Sequence, residues 1–372
     1  GRFIFILLQR RYRRMKKLIQ FELRKIFSKR LTQVTLIALL LLSFLLGFSA
    51  YQNMYAFDGK NREGTGRTAV EIDKSVAEKY EGILTDEKVQ QMIAEFKPTQ
   101  DLHGMNAVYL YQNSLQSALF RKFSDMNGNW NGLSVSDVFG NEEIKIGYTH
   151  GWLKTSENMV RIFIVLSLVV AIMTAPVFSG EYGGVDNIIL TSKYGKTKCA
   201  TAKIIGSILA ALIVTIVVSA INLIYAFILY GNGGLDCSIL FAPADFVEGY
   251  IPFNITCGTL LKYQILLAFT NTISITGITL VLSAVCKNQM VALVASAAIY
   301  LFPIMLPVTE TSPLFKIITL LPLYHAQFVS LMSVEQISGN VLYALMAVPV
   351  ALILMGIGVF ISRRIFAKHQ VS

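Results

Sequence analysis

Charge is what this chain has least of. Asp, Glu, Lys and Arg together make up 15% of its 372 residues, against 54% hydrophobic residues, where soluble domains usually carry about 25% charged residues. A water-soluble globule this poor in charge could not cover its surface, and the same numbers exclude disorder. Histidine, cysteine and tryptophan are scarce as well, at four, four and two. The histidines (His103, His150, His325, His369) are scattered with no ligand spacing, so no metal site is expected. Neither H-E-x-x-H nor G-x-S-x-G occurs, and no pair of aspartates lies within an apolar stretch, which disfavours intramembrane hydrolysis.

What is present is a set of long apolar runs. A hydrocarbon core about 30 Å thick needs roughly 20 apolar residues as helix. Six stretches qualify: Leu31 to Tyr51, Met159 to Ser179, Ile204 to Tyr230, Tyr263 to Cys286, Met290 to Val308 and Val341 to Ser362. None has a charged residue at its centre; Arg161 lies at one end of the second and can snorkel to an interface. The spans also lack carboxylates and histidines, the groups that carry protons or cations in ion-coupled transporters, so that class is disfavoured.

The formal charge of +10 is concentrated beside the spans. Lys16, Lys17, Arg24, Lys25, Lys29 and Arg30 precede the first; Lys193, Lys196, Lys198 and Lys203 separate the second from the third. Lys287 follows the fourth, and Arg363, Arg364 and Lys368 follow the last, whereas the alternate short loops hold only Lys262 and Lys316. By the positive-inside rule both termini face the cytoplasm of a cell-membrane protein. No soluble stretch interleaves basic with aromatic residues, so a nucleic-acid partner is not expected. Residues 1–14, ahead of Met15-Lys-Lys, read as a non-native extension and carry no weight in the fold.

The expected fold is therefore an all-α polytopic membrane protein. Residues 1–30 form an N-terminal cytoplasmic segment, 31–51 the first span, 52–157 an extracellular insert, and 158–372 the remaining five spans with a cytoplasmic loop at 180–203. Within the insert, Ala69 to Phe96 has helical periodicity, with a new helix start at Thr85-Asp-Glu-Lys and Thr85 as N-cap. Val108 to Phe123 continues helical and Asn127 to Gly151 is loop-like, so the insert reads as mainly helical. The apolar piece Leu314 to Phe328 is too short to span, is broken by Pro322, and suits a re-entrant or interfacial helix pair.

The loop after the second span is the most informative segment. Asp186 can cap a short helix, and Ile188, Ile189 and Leu190 have no bilayer to enter. Apolar groups rimmed by charge mark a docking surface; the alternative is a loop lying on lipid headgroups through its lysines. Gly195-Lys196-Thr197 resembles the end of a Walker A motif, but the glycine required five positions earlier is Leu190, so the chain does not bind ATP by that route. Elsewhere, Asn222 and the Thr270, Asn271, Thr272, Ser274 group could line a substrate path or simply hydrogen-bond between helices. Cys237 and Cys257 share one extracellular loop, where oxidation is permitted, and a bridge between them would close about 20 residues and contribute roughly 3 kcal/mol.

Phe178, Glu181, Gly184, Leu190, Thr191, Ser192, Lys196 and Lys203 follow one another as in the permease subunits of type-2 ABC exporters, which the chain resembles. Lys193 stands where that family often has proline, and Lys196 where arginine is usual. The segment IQFELRKIFSKRL, with Glu22 and Lys25, is similar to the family's amphipathic elbow helix. The resemblance implies an ATP-driven exporter half that pairs with a second permease and two ATPase subunits. ATP and Mg would then sit on the partner subunits, with no cofactor on this chain, which is not itself an enzyme. The loop would be the coupling helix, contributed by Glu181, Tyr182, Gly184, Asp186, Asn187, Ile188, Ile189, Leu190, Lys193 and Lys196. The substrate class suggested by a large insert is peptide-like or amphipathic, as in bacterial permeases handling antimicrobial peptides. A different class also fits the residues: a membrane receptor or regulatory scaffold sensing a ligand through the insert.

Overall fold

The computed structural model describes residues 2–99, 102–182, 195–243, 253–309, 312–327 and 342–368. Helix α1 (Arg2–Ser28) leads through Lys29 into α2 (Arg30–Asn53). Four further helices build the bundle: α7 (His150–Thr174), continued by α8 (Pro176–Ser179), α9 (Ala200–Tyr230), α10 (Cys257–Val285) and α14 (Ala347–Lys368). Five helical stretches are long and apolar enough to cross a membrane: Arg30–Asn53, His150–Ser179, Gly195–Tyr230, Cys257–Val285 and Ala347–Lys368. The expected fifth span at Met290 to Val308 is instead a shorter apolar helix. Helix α11 (Gln289–Leu301) tightens into a 3₁₀ turn over Phe302–Met305, because Pro303 cannot donate to the helical ladder. Two short helices follow, α12 (Pro313–Ile318) and α13 (Pro322–Ala326), each with proline at its first position. This is the broken apolar piece anticipated before the last span.

Why these helices bury what they do follows from their sequence. The middle of α7 is apolar on all sides and sits at the centre of the bundle, with Met159, Ile162, Phe163, Leu166 and Val170 all within 1% of full burial. Helix α2 leaves Leu41, Phe44, Leu45 and Phe48 exposed, the pattern of a helix whose solvent is lipid. Small residues let helices approach. An added Cβ on Gly277 of α10 would stand 2.6 Å from the Leu354 carbonyl oxygen, and one on Gly358 of α14 would stand 2.5 Å from the Gly277 carbonyl oxygen. The two backbones are therefore in direct contact.

Residues between α2 and α7 fold around a second apolar core. It is more mixed than the helical periodicity implies. Strands β1 (Tyr55–Phe57) and β2 (Glu63–Thr65) pair antiparallel, as do β3 (Gly82–Ile83) and β4 (Lys145–Ile146). Helices α3 (Arg67–Tyr80) and α4 (Asp86–Phe96) divide the helical stretch at the expected new start, separated by β3, where Gly82 adopts φ +112°. Thr85 caps α4 through the Lys88 amide at 3.3 Å. Helix α5 (Ser114–Phe123) is capped by Asn113, and the loop-like stretch that follows hides α6 (Val135–Phe139), with a Ser134–Asp137 capping box. Val89, Met92, Phe96, Leu119, Phe120, Phe123 and Ile146 form the centre of this core.

The segment before α10 is fastened to this body and to α7. Trp152 donates its indole N–H to the Gly233 carbonyl at 2.7 Å, Ser238 donates its amide to the Lys145 carbonyl at 2.8 Å, and Phe241 enters the second core. Gly234 (φ +82°) passes so close to the Tyr148 carbonyl that a side chain would collide with it.

Substituting Gly277 or Gly358 by alanine is expected to cost about 1–3 kcal/mol through overpacking. The double substitution should cost less than the sum, because one separation relieves both clashes. Gly356→Ala, with nothing within 4 Å of its added carbon, should raise the melting temperature slightly, because alanine is the better helix former. Thermal unfolding in detergent followed by size-exclusion chromatography checks all four.

Candidate functional site at the basic end of the bundle

At the end of the bundle away from the 54–149 body, four ionisable side chains from three elements meet in a cluster that is buried except for Lys25 at its half-buried edge. Glu22 and Lys25 lie one turn apart on α1, and such i, i+3 positions share a helix face. Glu181 follows α8, and Lys203 lies on the first turn of α9. The Lys203 ammonium is fully buried; it donates to Glu22 Oε1 at 3.2 Å and to Glu181 Oε1 at 2.5 Å. Lys25 pairs with the same Glu181 oxygen. Two positive and two negative groups thus close a neutral set, as a buried charge cluster must. Glu181 Oε2, also buried, accepts no hydrogen bond from the described residues.

Lys29, at the junction of α1 and α2, adds an excess cation beside the set. Burial first, then the nearby charges of Lys25 and Lys203, lower its pKa below the usual lysine value, while Glu181 and Glu22 act the other way.

The route into the cluster is built by a proline and a serine. Pro176 has no N–H to continue α7, so the helix end needs other partners. The hydroxyl of Ser283 on α10 donates to the Ala175 carbonyl at 2.6 Å and accepts from the amides of Phe178 and Ser179 at 2.9 and 3.2 Å. Tyr182, next to Glu181, donates its hydroxyl to the Ala284 carbonyl at 2.8 Å. Its ring stacks on Phe366 of α14, which also meets Phe178 at 5.0 Å. The tip of the second span is therefore held by α1, α9, α10 and α14 together.

Of the loop residues singled out in the sequence, Glu181 and Tyr182 are buried or half-buried in this joint, and Lys196 is exposed on the turn before α9. Gly184, Asp186, Asn187, Ile188, Ile189, Leu190 and Lys193 lie outside the described residues. Glu22 and Lys25, noted in the sequence as marks of an elbow helix, turn out to be partners of Lys203 and of Glu181 respectively. Lys203, seen in the sequence as one position in a family order, is the centre of the set. Ser283 carried no signal at all in the sequence.

The polar residues within the spans occupy two places. Asn222 donates to the Val218 carbonyl at 2.8 Å and reaches Ser43 of α2 at 3.4 Å. Asn271 donates to the Tyr300 hydroxyl at 3.0 Å, Thr272 meets Thr215 at 3.0 Å, and Thr270 and Ser274 donate to carbonyls of their own helix. All are buried, and both groups consist of helix-to-helix or in-helix hydrogen bonds. His325, carried inward on α13, is also buried, with one ring nitrogen 2.9 Å from the Leu320 carbonyl. The apolar spans themselves contain no histidine at their centres, but the broken piece delivers one to the bundle.

Cys237 and Cys257 are free thiols, both fully buried, on facing residues: the Cys257 amide donates to the Cys237 carbonyl at 3.0 Å, beside the Ser238–Thr256 bridge. Burial pushes the Cys237 thiol up to about 12. Among the described residues, no group of three or more His, Cys, Asp or Glu side chains could hold a metal ion.

A bundle of membrane-length apolar helices, locked at one end by buried charge and carrying a folded body at the other, is the architecture of a multi-pass membrane protein. The model of the ABC-2 family transporter protein matches residues 21–368, and the chain belongs to that family. No curated protein and no solved structure matches it.

Replacing Lys203 by methionine strands Glu22 and should cost about 3–5 kcal/mol, the range for breaking a buried pair. Adding Glu22→Gln should restore much of that loss, and Lys196→Met should cost nothing measurable. Lys29→Gln should raise the melting temperature. With its pKa lowered on folding, the Lys29 ammonium opposes the fold fully below that pKa and is relieved as pH rises towards the ordinary lysine value. A double-mutant cycle by thermal unfolding tests the pair, and melts from neutral to alkaline pH test Lys29.

Proposed function

We propose that this chain is the membrane-spanning permease of an ATP-driven exporter, with ATP and Mg held by a separate ATPase subunit. The observation that carries the reading is the ion cluster. Glu181 and Lys203 bracket residues 183–194, and their contact closes the base of that loop on α1 and the bundle. A loop sprung from so tight a base can pass force from a docked ATPase into the second and third spans. Ile188, Ile189 and Leu190 would supply the apolar face of the coupling helix, and α1 would lie as an elbow helix along the same membrane face. The basic residues flanking the spans favour the cytoplasm for this face and for both termini, so the 54–149 body would be extracellular. Two such permeases, identical or not, would pair with two ATPase subunits in the cell membrane. An amphipathic or peptide-like cargo suits a permease with a large outer body.

The facing register of Cys237 and Cys257 supports a disulfide on that outer side. Directly opposed, hydrogen-bonded strand residues have Cα atoms about 5.5 Å apart, inside the range a bridge requires. It would form by exchange with an oxidised thiol–disulfide oxidoreductase, which takes the two electrons as both thiols lose their protons, before burial makes the thiols unreactive.

Co-expressed with its ATPase, the permease should stimulate ATP hydrolysis, and Ile189→Asp should abolish the stimulation while leaving the ATPase's basal rate. The chain alone in liposomes should move no solute uphill. Full stimulation by Ile189→Asp would refute the docking assignment, and uphill transport without an ATPase would refute the energy source. Non-reducing peptide mapping of protein from native membranes should find residues 237 and 257 linked; two free thiols would dispose of the bridge.

A further inference from the structure

We infer that the chain holds the phosphate head of an anionic membrane lipid at Arg161, in a cavity between α2 and α7 beside the 54–149 body. The cavity has a volume of about 530 Å³. Lys154, Glu157, Asn158 and Arg161 all line it from α7, and positions spaced by three and four residues share a helix face.

The charges along that face are not equivalent. Lys154 and Glu157 form an ion pair at 3.4 Å, which leaves that step close to neutral. One turn further into the apolar part of α7, Arg161 donates from Nη1 to the Asn158 side-chain carbonyl at 3.3 Å. That partner is an uncharged amide. Asn158 is itself held, because its amide nitrogen donates to the Leu46 carbonyl of α2 at 3.3 Å. The guanidinium is thus positioned at the head of a membrane span, one turn beyond the Lys154–Glu157 pair, and among the described residues no carboxylate pairs with it. A guanidinium has five donors in a planar fork that matches phosphate oxygens. The opposing wall, from α2, offers Ser49 and Asn53 and no acidic group.

Below Arg161 the same face of α7 continues as Ile164, Val165 and Leu168, all only partly buried. On α2, Leu46 lines the cavity and Leu42, one turn below it on the same face, is only partly buried. An anionic head on Arg161 would therefore have an apolar track for its chains running towards the bilayer centre. A free phosphate would use only the upper half of the site. This combination selects a lipid over a soluble anion.

The inference requires only that the chain spans a membrane, and not the direction of transport or the ATPase docking. Native mass spectrometry of the full chain in detergent, without nucleotide, is therefore a separate test. The probes are phosphatidylglycerol, phosphatidylcholine and glycerol 1-phosphate. Wild type should retain phosphatidylglycerol in preference to phosphatidylcholine, and glycerol 1-phosphate should not compete. Arg161→Gln should weaken phosphatidylglycerol retention roughly tenfold, as expected for losing a charge-assisted hydrogen bond, and Arg161→Lys should restore part of it. Ser49→Glu, on the opposite wall, should cause a similar loss without touching α7, which keeps the test decisive if Arg161→Gln folds poorly. Unchanged retention in Arg161→Gln or Ser49→Glu, or equal retention of the two lipids by wild type, would overturn the site. Efficient competition by glycerol 1-phosphate would overturn the assignment to a lipid.

Discussion

The ion set of Glu22, Lys25, Glu181 and Lys203 is the constraint around which one end of this protein is arranged. Four charges cannot leave water singly, and each becomes tolerable only when the others are in place. That requirement ties together segments as far apart as residues 22 and 203, and it fixes where the second span ends and the third begins. The neighbouring joint of Pro176, Ser283 and Tyr182 adds a fourth and a fifth helix. A region that the sequence presents as ordinary basic flanks is, in three dimensions, a rigid knot of charge and backbone hydrogen bonds.

The opposite end is organised by different physics. Here a compact body with its own apolar core rests on the bundle through backbone contacts and through the buried contact of Asp73 Oδ2 with His150 Nδ1 at 2.9 Å. Its Gly234 crossing leaves no room for a side chain, and Trp152 reaches across to the Gly233 carbonyl. Between this body and the apolar helices, Arg161 sits where a cation is least costly, at the boundary between polar and apolar surroundings.

Much of the helical framework is legible in the sequence, because a lipid solvent demands long apolar runs and leaves little choice of structure. The spans from Leu31, Met159, Ile204 and Tyr263 correspond to helices that begin up to nine residues earlier, since polar residues such as His150 and Lys262 continue a helix once it leaves the apolar layer. The stretch from Met290 failed as a long span because hydropathy does not register what Pro303 does to the backbone. The small strand pairs were invisible for a similar reason. Two- and three-residue strands have no periodicity to detect, whereas the break between α3 and α4 was marked by Thr85, the N-cap of α4. The cluster was half legible: Glu22, Lys25 and Glu181 stood out as charges, yet nothing local says which charges will face one another across some 180 residues.

The Gly277–Gly358 crossing sets a limit on how this protein can change shape. Helices α10 and α14 touch backbone to backbone, with no flexible side chains between them to act as a bearing. Rolling one over the other would drive carbonyl oxygens into main-chain carbon. The pair therefore behaves as a single plank, and any rocking of the bundle has to be accommodated along seams where longer side chains can swivel, such as the one between α2 and its neighbours.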